Sequence, residues 1–298
     1  MSDEYGRLLV SEFDRLLNAT IGYVEQLDER GVDHLPVDLR LFDGLSGKAP
    51  AAQSPLVSAK VLEREPGPQA VAPVVPRVTA VSDEPELSKE EKESRLAHLS
   101  ERASVCMKCP NLAKSRKSVV FGVGSLEADL MFVGEAPGVD EDIKGEPFVG
   151  KAGQLLTRII QTMGLSRESV YIGNVLKCRP DTPGRRYGNR KPTPQEMVTC
   201  RPYLMEQIRT IRPRVLVALG ATAVEGLMGM SSVAITRYRG EFKDFGGIPM
   251  MPTYHPSYVL RNQSHRIKRQ IWEDMLKVME HLGMEVSEKQ RGYFSKAS

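Results

Sequence analysis

Four consecutive apolar residues, Leu130-Met131-Phe132-Val133, run without polar alternation into Gly134. A strand apolar on both faces belongs to a parallel sheet covered by helices on either side. The next stretch, GEAPGVDEDIKGEPFVGKAGQLL over residues 134–156, is a Gly- and Pro-punctuated turn, an acidic cluster, Phe148, and a second Gly-rich turn opening a helix. Ligands of open α/β sheets bind beyond the carboxyl ends of their strands, so this is the expected active-site loop.

The surrounding pattern keeps the alternation. A helix is expected over residues 152–163, with Leu155, Leu156, Ile159, Ile160 and Met163 on one face, and a strand over 170–176. Helices at 201–211, 221–228 and 265–281 and strands at 215–219, 242–245 and 248–252 follow, the last two joined through Gly246-Gly247. Strands alternating with helices give an α/β domain with a largely parallel sheet. Upstream, Ser88 and Glu91 fit a capping box opening a charged helix that runs to about residue 104.

The first 86 residues read differently. Leu9, Phe13, Leu16, Leu17, Ile21, Val24 and Leu27 form an amphipathic helical stripe, stopped by Gly31. Residues 44–86 are rich in Pro, Ala, Val and Ser and hold too little large apolar surface to offset ordering, which predicts a disordered linker. The expected organisation is a helical appendage over 1–43, a linker over 44–86, the main domain over 87–285 and a tail over 286–298. The appendage is a possible docking element for a protein partner. No apolar run approaches the roughly 18 residues that span a bilayer, and the acidic N-terminus lacks a signal-peptide core, so no membrane association is expected and the cytoplasm is the expected location.

Four cysteines in such a chain argue for metal or redox chemistry before disulfides. Cys106 and Cys109 form CxxC, with Cys178 and Cys200 far downstream. A zinc ribbon usually carries two CxxC pairs, and this set suits a four-thiolate iron–sulfur cluster at least as well, with buried free thiols as the plain alternative.

Within the loop, Gly145 to Ala152 nearly matches GxxxxGK[ST], but Ala152 stands where a magnesium-binding hydroxyl is required, which disfavours a nucleotide triphosphatase. What remains is backbone at residues 134–138, carboxylates at Glu135, Asp140, Glu141 and Asp142, and an aromatic. Phe148 between two turns is either core or a stacking platform for a flat heterocycle. Asn174 at a strand end is either a turn residue or an amide that reads a pyrimidine edge. His255 at another strand end can donate to a developing anion. The net charge of +3 is weak. Locally, residues 177–214 hold ten Lys/Arg against three Asp/Glu, with Arg185, Arg186, Arg190 and Lys191 clustered, and Arg261 follows the His motif. Basic runs flanking a base-reading pocket predict a nucleic-acid backbone there.

Taken in order, GEAPG, DED, GEPFVGKAGQLL, NVLKCRP, CRPYL and TYHPSYVLR resemble the iron–sulfur branch of the uracil-DNA glycosylases, family 4, over about residues 95–282. The resemblance implies a three-layer αβα fold with a central, mainly parallel four-stranded sheet. It implies an enzyme that flips uracil from DNA and hydrolyses its N-glycosidic bond, acting as a monomer on single- or double-stranded uracil-containing DNA. Cys106, Cys109, Cys178 and Cys200 would hold a 4Fe-4S cluster. Phe148 would stack on the base, Asn174 would bond its edge, and Glu135 and Ala136 would line it. His255 would stabilise the uracil anion, with Glu141 or Glu135 positioning water. A sister branch captures uracil-DNA covalently through a His in the loop between the last two cysteines; here no His lies between Cys178 and Cys200. A non-catalytic module binding uracil-DNA or single strands is the alternative.

Overall fold

The structure, a computed structural model, describes residues 87–181 and 189–295. The helix and linker expected before residue 87, together with Arg185 and Arg186, lie outside the described residues. In chain order the first elements are α1 (Lys89–Ser104), α2 (Pro110–Ser115), β1 (Val123–Gly124), β2 (Leu130–Gly134) and α3 (Val139–Lys144). There follow α4 (Lys151–Thr162), β3 (Tyr171–Asn174), α5 (Pro194–Ile211), β4 (Val215–Leu219), α6 (Ala221–Met228) and α7 (Ile235–Tyr238). The last are β5 (Lys243–Phe245), β6 (Ile248–Thr253), α8 (Pro256–Arg261), α9 (His265–His281) and α10 (Glu288–Arg291).

Because successive strand residues point to opposite faces, the all-apolar strands feed two cores at once. Leu130 and Phe132 of β2, Ile172 of β3 and Val215 and Val217 of β4 pack with Leu156, Ile160 and Met163 around α4 and with Trp272, Met275 and Met279 of α9. Met131, Val133, Tyr171, Leu216 and Ala218 face the other way, onto Leu96 and Leu99 of α1, Leu204 and Ile208 of α5, and Val224 and Leu227 of α6. This is the expected three-layer αβα arrangement. Each fully buried aliphatic or aromatic side chain contributes about 1.5–3 kcal/mol.

The sheet has six strands rather than four, in the order β1-β3-β2-β4-β6-β5. The four central strands are parallel, and β1 and β5 add antiparallel edges. β1 has only two residues inside a Gly-punctuated stretch, so no periodicity marks it. α5 also starts earlier than expected, at Pro194, which places Cys200 inside a helix rather than in a loop. Its start is a full capping box, Thr193 with Glu196; Pro202, in the interior, masks the pattern.

The segment beyond residue 285 packs on the domain. Trp272 Nε1 donates to Gln290 O at 2.5 Å, Gln290 Nε2 to Thr162 O at 2.8 Å, and the Tyr293 ring meets Trp272 edge-on at 5.6 Å.

Candidate functional site

β2, β3, β4 and β6 end at one edge of the sheet, and the backbone beyond them is pinned. Gly134 O accepts from Val175 N–H at 2.9 Å, Glu135 O from Leu176 N–H at 3.0 Å, and Thr253 O from Gly220 N–H at 2.8 Å. Gly134 pairs with Asn174 in the β2–β3 register. A Cβ on Gly134 would stand 2.4 Å from both Asn174 Oδ1 and Phe148 Cζ. β2 must therefore end in glycine for an amide and a phenyl ring to meet over its backbone. Asn174 is buried, and its Oδ1 has no hydrogen-bond partner. A buried acceptor left open is unfavourable unless a ligand's donor fills it.

Phe148 is buried and holds a φ of +53°, a left-handed conformation that costs a non-glycine residue about 1–2 kcal/mol. Two charged side chains enforce it. Glu141 accepts from the N–H groups of Val149 and Gly150, both at 2.9 Å, and of Gly138 at 3.0 Å. Arg167 donates to Pro147 O at 2.8 Å and Phe148 O at 3.1 Å. Donors and acceptors on both sides of the residue are thus fixed by opposite charges, and the strain is over-determined. Burial holds the Arg167 guanidinium below its ordinary pKa, opposed by Glu146, Glu168 and Glu141. Gly153 of α4 lies against the same backbone: a Cβ there would sit 1.8 Å from Phe148 O.

This clamp changes the part expected of Glu141. Its carboxylate is taken up by three backbone N–H groups, as a strut of the loop. Asp142 is likewise structural, its Oδ1 accepting from Lys117 N–H at 2.9 Å and Ser118 N–H at 3.3 Å, while Asp140 is exposed. Glu135 is half-buried on the α6 side, against Thr222; burial raises its pKa, with Thr222 and then Lys191 opposing. Ala136 packs at the edge of the α1–α5–α6 core.

His255 caps α8. Its Nδ1 accepts from Ser257 N–H at 3.1 Å and lies 2.8 Å from Ser257 Oγ. A ring nitrogen that accepts an N–H carries no proton, so the proton sits on Nε2. Burial, and then the charge of Arg261, lower its pKa to about 4, so the ring is neutral at neutral pH. Its centroid lies 5.8 Å from that of Phe148. Behind it, Thr253 Oγ1 donates to buried Asp274 at 2.5 Å, and Arg239 pairs with the same carboxylate through Nε at 2.9 Å. That pair fixes the end of β6 just before the histidine.

An orphan amide acceptor, a strained aromatic and a neutral N–H donor at one sheet edge match a planar base with alternating donors and acceptors. A profile described as "Uracil DNA glycosylase superfamily" matches residues 121–276. Over 187 residues the chain is 46% identical to a type-4 uracil-DNA glycosylase of Thermotoga maritima, spanning 62% of this chain and 94% of that one. The chain belongs to the type-4 uracil-DNA glycosylases. Another type-4 enzyme, from Saccharolobus solfataricus, is 44% identical over 59% of this chain and 82% of its own. A type-5 uracil-DNA glycosylase of Pyrobaculum aerophilum is further off, 28% identical over 51% of this chain and 78% of its own.

In this type-4 family member the basic residues expected at DNA divide. Arg190 is bound to Glu196 through two contacts, at 2.5 and 2.8 Å, and Lys191 pairs with buried Glu225 at 2.9 Å. Both are anchored to the protein. Arg261 is exposed at the end of α8, beside His255. No described helix is long and apolar enough to cross a membrane.

The four cysteines come from four places: Cys106 after α1, Cys109 capping α2, Cys178 after β3, and Cys200 in α5. All are free thiols. Cys109 is within electrostatic reach of Cys178 and Cys106, and Cys200 of Cys178 and Cys109. Burial pushes the Cys109, Cys178 and Cys200 thiols up, Cys200 to about 12. Polar hydrogens are already aimed at sulfur: Arg116 Nη1 at Cys178 Sγ and Lys177 N–H at Cys200 Sγ, both 3.2 Å away. Such donors stabilise thiolates, and the set fits a thiolate-bound group. Among the described residues no three His, Cys, Asp or Glu are drawn up around one metal-ion position. An iron–sulfur cube spreads its thiolates more widely than a single tetrahedral ion does.

Arg167, Arg116 and Lys177 were not singled out in the sequence. Arg167 lies among Ser166, Glu168 and Ser169 and Arg116 in a basic run with Lys114 and Lys117, patterns of a solvated surface, while Lys177 follows directly on an apolar strand with nothing to mark it as buried.

Proposed function

We propose that this chain excises uracil from DNA by hydrolysing the N-glycosidic bond, leaving an abasic site. The observation that carries the reading is the buried, unpartnered Asn174 Oδ1 beside Phe148 and His255. Uracil presents an N3–H donor between two carbonyl acceptors, so an open acceptor receives it, whereas cytosine turns an acceptor toward the same position. The target base leaves the stack to reach this depth, and Phe148 supplies the face on which it rests.

Bond cleavage places negative charge on the departing uracil and positive charge on the sugar. His255 is suited to the first: neutral, with its Nε2–H fixed by the bonds at Nδ1, it stabilises the developing oxyanion without delivering a full positive charge. Glu135, the carboxylate left free of backbone partners, positions the water. Arg261 meets the phosphate backbone at the pocket rim, and Arg185 and Arg186 are further basic residues for the same backbone.

Cys106, Cys109, Cys178 and Cys200 hold a 4Fe-4S cluster, which when bound cross-links the segment after β3 to α1, α2 and α5. The protein works as a cytoplasmic monomer, its N-terminal segment available to a protein partner.

The test is an excision assay with uracil-, hypoxanthine- and thymine-mismatch oligonucleotides, scored as alkali-labile sites. Uracil must be cut, and His255→Ala or Asn174→Ala must slow it. Salt-dependent binding to uracil-DNA without base release selects the non-catalytic alternative instead. Metal analysis on anaerobically purified protein decides the cluster separately: about four irons per chain are expected, and stoichiometric zinc excludes it.

A further inference from the structure

The residues on either side of His255 lead back to one buried ion pair. Arg239 caps the end of α7 and Asp274 lies midway along α9. Their side chains are 10% and 1% exposed and meet at 2.5 Å through Arg239 Nη2 and Asp274 Oδ1. Arg239 Nε donates to the second carboxylate oxygen at 2.9 Å, so the contact is bidentate, and Nη2 also donates to Gln270 O. Two parallel bonds between planar groups fix their mutual orientation.

Two arms run from this pair. In the first, the buried Thr253 hydroxyl donates to Asp274 Oδ2 at 2.5 Å, and Thr253 is the last residue of β6. In the second, the Arg239 guanidinium lies 5.2 Å from the centroid of the buried Tyr254 ring, which stacks on Tyr258 at 5.0 Å. Tyr258 N–H donates to His255 O at 2.9 Å in the first turn of α8. The turn that carries Arg239 is tied down as well: Lys277 donates to Gly240 O at 2.6 Å, and Gly240 N–H to Pro252 O at 3.4 Å.

A buried ion pair is poor evidence of stability, because desolvation offsets its attraction and apolar residues of similar volume often serve as well. What it adds is direction, since hydrogen bonds tolerate few orientations and apolar contacts many. An oxyanion donor needs that direction, as it acts only where the charge develops. The bonds from Ser257 orient the imidazole within its own turn. The two arms orient that turn against the sheet and α9.

We propose that Arg239 and Asp274 are positioning residues for uracil excision, setting where His255 stands through Thr253 on one side and Tyr254 and Tyr258 on the other. This rests on the excision reading and on His255 as the oxyanion donor. Damage to the network lowers the rate of bond cleavage rather than affinity for the base, because Asn174 ends β3 and Phe148 is held by the Glu141–Arg167 clamp.

The test is a kinetic double-mutant cycle with His255→Ala on the full chain, read as single-turnover excision from a uracil-containing oligonucleotide, with its Kd and the urea midpoint measured alongside. Thr253→Val removes one hydroxyl and keeps the ion pair. It is expected to slow excision about tenfold when His255 is present and less than about twofold when it is absent, with Kd unchanged. Thr253→Ser keeps the hydroxyl and is expected to keep the rate. Asp274→Asn loosens both arms and is expected to slow excision about 100-fold, again only with the imidazole present. Equal slowing in both backgrounds overturns the proposal. So does an unchanged rate with a lowered urea midpoint, which leaves the pair as core structure. If Asp274→Asn does not accumulate, Thr253→Val and Thr253→Ser decide between the same outcomes. A parent that releases no uracil overturns the excision reading, and one that cuts equally well without the imidazole overturns the donor role alone. Both are seen before any network variant is made.

Discussion

Around Phe148, two opposite charges are used entirely on backbone: Glu141 takes three N–H groups and Arg167 two carbonyls. Around Cys200, buried ionisable groups face one another with cations close by, Arg116 at Cys178 and Lys177 behind Cys200. The first region is electrostatically closed and leaves open only the neutral groups that meet a base. The second leaves four free thiols, with polar hydrogens aimed at two of their sulfurs. Burial thus does two jobs here. In the pocket it keeps the reading groups uncharged and rigid; among the cysteines it pushes the Cys109, Cys178 and Cys200 thiols up.

The largest effect expected falls on the open neutral donor. His255→Ala should slow single-turnover excision of uracil about 100- to 1,000-fold, the usual loss for one preorganised oxyanion donor, with little change in substrate affinity. Full activity without the imidazole would remove it from the chemistry.

The closed clamp comes next. Glu141→Gln cannot accept all three N–H bonds, so it should cost about 1–3 kcal/mol in urea unfolding and weaken substrate binding about tenfold as Phe148 loses its fixed φ. Glu135→Gln should do the reverse, slowing turnover with stability nearly unchanged. Exchanged phenotypes would mean that the carboxylates have exchanged roles.

In the cysteine region, Cys200→Ser should strip the iron and lower Tm by about 5–10 °C, while His255-dependent excision persists below the melting point. Retained iron with an unchanged spectrum would show that Cys200 is not a ligand.

The smallest effect is on pH. His255 has a pKa near 4 in the fold against an ordinary 6.5, so the unfolded chain binds a proton that the native ring refuses. Stability is full above pH 6.5 and falls as pH drops toward 4, by at most about 1.4 kcal/mol per unit and by less because the ring is partly open to the pocket. His255→Gln should flatten that slope in urea titrations between pH 7 and 5.

Much of this was legible in the sequence, and where it failed the reasons are physical. The strands at 130–134 and 215–219 and the helices at 221–228 and 265–281 fall where apolar pattern put them, because each is bounded by a glycine or cap residue. Phe148 and Asn174 carried enough chemistry to be singled out. The positive φ of Phe148 was invisible, since no glycine marks it, and so were the cations that hold the site together. A side chain that serves backbone carbonyls or sulfur leaves no periodic signature, and only the fold says which lysines and arginines are inside.

Trp272 is the sole tryptophan, and its indole N–H is tied to Gln290 O with Tyr293 against its edge. The protein therefore carries a built-in fluorescent reporter. Its emission registers whether the C-terminal strap is seated on α9. Proteolysis or a substitution that lifts the strap should redden it before either site is disturbed.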